Sequence, residues 1–162
     1  MKPTYRNCLA VIVFAFLPCT HAAAQCAAGG LAVVVNKANP TDSLSMAQLR
    51  KLIMGDVHAW PDQKKILLIA RDPSSPVYKC VLSMIVRMSD SEYHRYVMNA
   101  EFRGEEPVQM KAADSGATAV KVVGSAPGSI SVVETNLLST LRPTVKVVRI
   151  NGKQPGEAGY PL

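Results

Sequence analysis

Compact β-branched runs alternate along this chain with stretches of helical periodicity, and that alternation restricts its fold more than any other feature. Leu31-Ala-Val-Val-Val35, closed by Asn36-Lys-Ala-Asn-Pro40, is the pattern of a buried strand followed by a turn. Ser45-Met-Ala-Gln48 is a capping box with Leu44 in the staple position and Leu49, Leu52 and Ile53 as its apolar stripe. It predicts a helix over 45–54 that stops at Gly55. Lys65-Ile-Leu-Leu-Ile-Ala70 reads as a second buried strand. Residues 75–88 carry Val77, Val81, Leu82, Ile85 and Met88 at helical spacing, and Ser89-Asp-Ser-Glu92 opens another helix that ends near Phe102-Arg-Gly104. After Pro107 the pattern predicts one or two helical segments, the clearer beginning at Asp114-Ser-Gly116. Strands follow over Ser129–Val133 and Thr144–Ile150, with a turn at Asn151-Gly152. Strands and helices in this order predict an α/β layer structure with mainly parallel pairing.

The first 24 residues stand apart from that pattern. Lys2 and Arg6 precede an unbroken apolar segment, Leu9 to Leu17, and Ala22-Ala-Ala24 supplies small residues ahead of Gln25. This is the arrangement of a cleaved export signal, too short in its apolar part for a permanent anchor. The expected mature protein, residues 25–162, is one domain, periplasmic or secreted. It keeps 138 residues and a formal charge of +4, 16 basic side chains against 12 acidic. The basic residues are spread along the chain, so the charge favours anionic partners without giving the dense patch that nucleic acid requires.

Cys26 and Cys80 remain after cleavage. In an oxidising compartment a disulfide between them would tie the mature N-terminus to the helix carrying Cys80. The competing reading is two free thiols, one of them buried as a small hydrophobe.

Catalytic chemistry finds little to work with. His58 and His94 are isolated, and no His-x-x-x-His or Cys-x-x-Cys spacing suggests a metal or haem. No Gly-x-Ser-x-Gly elbow presents a serine nucleophile, and Glu105-Glu106 reads as a solvated loop pair. The chain is expected to be neither an enzyme nor the holder of a cofactor.

An anion site asks for less, and Ile69-Ala-Arg-Asp-Pro-Ser-Ser-Pro76 contains its ingredients. A strand that turns directly into a helix presents unpaired N–H groups at the positive end of the helix dipole. Arg71 adds a guanidinium, and Ser74 and Ser75 add hydroxyls. The competing reading of the same letters is a capped helix start whose arginine pairs with a surface acid.

The order of motifs over residues 31–162 resembles the periplasmic phosphate-binding proteins of ABC transporters. The resemblance is carried by Leu31-Ala-Val-Val-Val-Asn36, Leu44-Ser-Met-Ala-Gln-Leu-Arg-Lys-Leu-Ile-Met-Gly-Asp56, Trp60-Pro-Asp62 and Ile69-Ala-Arg-Asp72. It continues through Phe102-Arg-Gly104, Asp114-Ser-Gly116, Ala126-Pro-Gly-Ser-Ile130 and Gly159-Tyr-Pro-Leu162. It implies a type II periplasmic-binding-protein-like fold, a mixed, mainly parallel sheet with helices on both faces, and, at this length, a single lobe where such receptors have two. It also implies a small oxyanion ligand, phosphate first, held by Arg71 and Ser74, with Ser75 standing where glycine is usual and Pro76 where threonine is usual. A homodimer or a partner protein would then close the cleft, and a membrane transporter or sensor would be served. If the lobe has abandoned its ligand, it docks on such a transporter, sensor or envelope complex instead.

Overall fold

The computed structural model describes residue 26 and residues 30–105 and 108–162. The expected export signal lies outside them. Six strands form one sheet: β1 (Leu31–Asn36), β2 (Ser43–Leu44), β3 (Leu67–Arg71), β4 (Gln109–Ala113), β5 (Ser129–Glu134) and β6 (Val145–Ile150). Their spatial order is β2-β6-β1-β5-β3-β4. The helices are α1 (Met46–Met54), α2 (Pro76–Cys80), which runs on as a π-helical stretch (Val81–Val86), α3 (Asp90–Phe102) and α4 (Gly116–Ser125). A 3-10 helix, Thr135–Thr140, follows β5. No helix of the described residues is long and apolar enough to cross a membrane.

β1 is buried along its whole length and divides the core by side-chain alternation. Val33 and Val35 face the larger cluster, where Leu49, Leu52 and Ile53 of α1 and Val77, Cys80, Leu82 and Ile85 of the α2 segment meet the sheet. Val34 faces the other side, where Ala119, Val120 and Val123 of α4 pack with Ile69 and Val133. Helices therefore cover both faces, as the resemblance implies. Both capping boxes form, Ser45 with Gln48 and Ser89 with Glu92, and Gly55 takes the left-handed conformation that ends α1.

One local expectation changes. Gln109–Ala113, placed by the sequence in a helical region, is the edge strand β4, paired residue for residue with β3 from Leu67–Gln109 to Arg71–Ala113. Its Gln, Met, Lys and Ala residues favour helix in isolation, and pairing with a neighbouring strand overrides that preference. The sheet is mixed and mainly parallel as expected, with β2–β6, β3–β4 and β3–β5 parallel, while β1 runs antiparallel to both β5 and β6. A strand buried on both faces has the same apolar run whichever way its neighbours point, so its direction leaves no trace in composition.

Gly128 supports the junction before β5. A Cβ there would fall inside contact distance of the Lys65 carbonyl, a backbone atom that cannot give way. The Gly128 carbonyl also accepts the indole N–H of buried Trp60 at 2.9 Å. The Trp60-Pro-Asp62 loop is thereby fixed to the start of β5, the strand that runs to the candidate site.

Candidate anion-binding site

β3, β4 and β5 are mutually parallel where they pair, so Arg71, Ala113 and Glu134 end at one edge of the sheet. Both α2 and α4 begin at this edge. Ladder pairing of β3 with β5 stops at Ile69–Ser131, where the buried Ser131 hydroxyl donates to the Ile69 carbonyl at 2.8 Å. Beyond that point the Arg71 and Glu134 side chains link the two strands, each still laddered to its other neighbour.

The join from β3 to α2 satisfies itself. The Asp72 amide donates to the Ala113 carbonyl, and the Ser75 amide donates to the Asp72 carbonyl at 2.9 Å. The Asp72 carboxylate accepts from the Ser74 amide at 2.8 Å and from the Ser74 hydroxyl, an Asx turn. Those bonds, the hydroxyl first, hold the Asp72 carboxyl below its ordinary range. Ser75 is the buried N-cap of α2, its hydroxyl oxygen accepting from the Val77 amide at 3.2 Å, and Pro76 fills the first helical position. The Ser74 and Ser75 hydroxyls therefore both have partners within the loop.

Arg71 reaches the other way. One of its terminal nitrogens, Nη1, donates to both carboxylate oxygens of Glu134 at 3.0 Å. The Arg71 side chain is 10% exposed and that of Glu134 24%, so the pair is largely withdrawn from water. Its Nε is buried and has no hydrogen-bond partner. The pair lies against the first turn of α4. A Cβ on Gly116 would be 2.6 Å from the Glu134 Oε2 and 3.1 Å from the Arg71 Nη1. Ser115 caps this helix by accepting from the Thr118 amide at 3.1 Å, and hydrogen bonds from Thr118 and Ser115 hold the Asp114 carboxyl below its ordinary range.

The three residues singled out in the sequence thus share one edge without converging on one point. Arg71 serves the α4 side, while Ser74 and Ser75 serve the start of α2. Glu134 and Gly116 were not singled out. A charged residue closing the apolar run Ser-Ile-Ser-Val-Val could have drawn attention to Glu134, but only the parallel pairing of β5 with β3 brings it to Arg71. Cys26 and Cys80 are joined by a disulfide, with Cα atoms 5.4 Å apart, so the segment before β1 is tied to the end of α2. No group of three or more His, Cys, Asp or Glu that could hold a metal occurs among the described residues.

No family model matches the chain. Its fold is similar to that of an ABC-type phosphate transport receptor from Vibrio cholerae, with a TM-score of 0.60 and 22% identity over 78% of this chain and 48% of the receptor. PstS from Borrelia burgdorferi gives 0.61 and 15% identity over 77% and 48%. The phosphate-binding protein from Stenotrophomonas maltophilia gives 0.61 and 16% identity over 81% and 41%. At these identities the likeness shows the fold, and the chain spans about half the length of these structures.

Proposed function

We propose that the protein is an extracytoplasmic solute-binding lobe that takes a small oxyanion, phosphate first, at the carboxyl edge of β3, in the service of ABC-type uptake or sensing. The observation that carries this reading is Arg71, a guanidinium nine-tenths buried that already clasps a carboxylate while its Nε lacks an acceptor. Withdrawal from water strengthens each contact such a group makes to an anion. The fold shared with phosphate receptors supports the assignment, as does the export signal expected from the sequence. The lobe formed by the described residues offers one wall of a cleft. The bound anion stays partly solvated, and affinity is correspondingly weak, about millimolar, until a second copy or a partner supplies the other wall. Calorimetric titration with phosphate and with sulfate checks this: saturable heat is expected, and it disappears in Arg71→Met. Silence toward every oxyanion in the folded protein overturns the reading.

One observation favours a second reading. The Ser74 and Ser75 hydroxyls and the Arg71 Nη1 all have partners within the chain, as a lobe that had given up its ligand would arrange them. Such a lobe would act as a docking module for a transporter, sensor or envelope complex. Its signature is Arg71→Met that folds normally and leaves partner binding intact.

A further inference from the structure

We propose that Glu134 is a built-in competitor for the oxyanion seat. Its carboxylate holds the place, between Arg71 and the first turn of α4, that a small oxyanion takes when it binds. The inference rests on the oxyanion reading given above and moves the centre of the site from the start of α2 to the start of α4.

Three features distinguish this pair from an ordinary structural one. A guanidinium and a carboxylate paired only with each other frequently adopt the two-nitrogen, two-oxygen fork, which satisfies more donors. Here both Glu134 oxygens share one nitrogen, Nη1, and the buried Nε is left without an acceptor. An orphaned buried donor is costly, and an anion with three or four oxygens can reach two nitrogens of one guanidinium.

The second feature is Gly116. With no Cβ at the first residue of α4, an oxyanion can stand against the helix start, where the dipole is positive and the first amides have no intrahelical acceptor, only that of Thr118 being capped by Ser115. The Glu134 carboxylate is in that position, as the 2.6 Å from a hypothetical Gly116 Cβ to its Oε2 shows. The third is the segment that would have to move. Glu134 ends β5 and leads into Thr135–Thr140, a 3-10 helix with no buried residue. Leu137 and Leu138 of that helix pack at the margin of the α4-side cluster, so withdrawing the Glu134 side chain repacks this margin without opening the fully buried core.

Competition between a tethered and a free anion sets affinity. While Glu134 stays in the seat a free oxyanion must displace it, and only the surplus of its interaction with Arg71 and α4 appears as binding. Removing the Glu134 charge while keeping its shape should strengthen oxyanion binding. If the pair were merely structural, the same change would loosen Arg71 and weaken binding.

The test compares phosphate and sulfate titrations of the full mature chain with those of Glu134→Gln and Glu134→Asp, folding being verified by thermal unfolding. The Arg71 Nε–H resonance is followed by NMR in parallel. Expected are binding about tenfold tighter in Glu134→Gln than in the natural sequence, a smaller gain in Glu134→Asp, and a phosphate-dependent shift of the Nε–H signal. Equal or weaker binding in folded Glu134→Gln, with the natural sequence binding phosphate, overturns the competitor and leaves the oxyanion reading standing. Should Glu134→Gln fail to fold, Glu134→Asp decides by the same comparison. No binding by the natural chain or by either folded variant removes the oxyanion reading and this inference with it.

Discussion

Two strand-to-helix joins lie side by side at the carboxyl edge of the sheet, β3 into α2 and β4 into α4, and each carries an aspartate followed by a serine cap. They differ most in the first helical residue, Pro76 in one and Gly116 in the other. Proline brings a ring and no N–H, and its join is sealed by its own Asp72, Ser74 and Ser75. Glycine brings no side chain at all, and its join admits Arg71 and Glu134 from two other strands. The loop richer in anion-binding letters is thus the more self-contained one. Accessibility of a helix start depends on what its neighbours leave unfilled as much as on its own sequence.

The joins also differ in covalent support, which gives the largest expected effect. Cys80 ends α2 and is bonded to Cys26 across a separation of 54 residues, whereas α4 has no cysteine. Chain-entropy arguments put the loss on opening a loop of that size at about 4 kcal/mol. Denaturant titration of Cys26→Ser/Cys80→Ser should show a fall of that order. Amide exchange should rise over Val77–Val86 well before it rises over α4. Equal loosening of both helices would mean that the two joins form one cooperative unit, contrary to the comparison.

Gly116→Ala comes next. The new methyl group meets the ends of the Leu137 and Glu134 side chains, which shift more readily than backbone, so a net loss of about 1–2 kcal/mol is expected despite alanine's better helix propensity. The informative readout is the Arg71–Glu134 pair, which should separate and change the Arg71 side-chain resonances. Pro76→Ala should leave those resonances unchanged. Removing the caps should cost less, about 1 kcal/mol each for Ser115→Ala and Ser75→Ala, measured by chemical unfolding. Only the Ser115 change should alter the Arg71 signals.

Much of this was legible in the sequence because it depends on near neighbours. The capping boxes at Ser45 and Ser89 and the glycine stop at Gly55 bring together residues four or fewer apart, with the apolar stripe of α1 one or two turns long. The strands at 31–36, 67–71, 129–134 and 145–150 were legible from their short apolar runs, β-branched in all but the second, for the same reason. β4 was not, since its strand conformation comes from β3, about 40 residues earlier in the chain. Within the candidate site, Arg71 stood out because it ends a strand, and Ser74 and Ser75 because they precede a helix. Glu134 lies 63 residues from Arg71, and nothing in its local sequence says which strand its own will pair with. Gly116 looked like part of a cap, and its second role depends on a contact with a side chain from another strand.

The smallest effect concerns acid, and it separates the two aspartates. Asp72 and Asp114 both have carboxyl groups held below their ordinary range in the folded chain, chiefly by Ser74 in the first case and by Thr118 in the second. A depressed folded value means stability that is present above the unfolded pKa of about 4 and is lost as pH falls through the folded value. The contribution matters only where the unfolded chain lacks the same bonds. Ser74 is two residues from Asp72, so an Asx turn can form there without the rest of the fold. Thr118 reaches Asp114 only when the first turn of α4 exists. Urea midpoints measured between about pH 2 and pH 5 should therefore fall less steeply in Asp114→Asn than in the natural sequence, while Asp72→Asn should leave the slope nearly unchanged. The reverse order would mean that the α2 join depends on its fold and the α4 join does not, inverting the comparison between them.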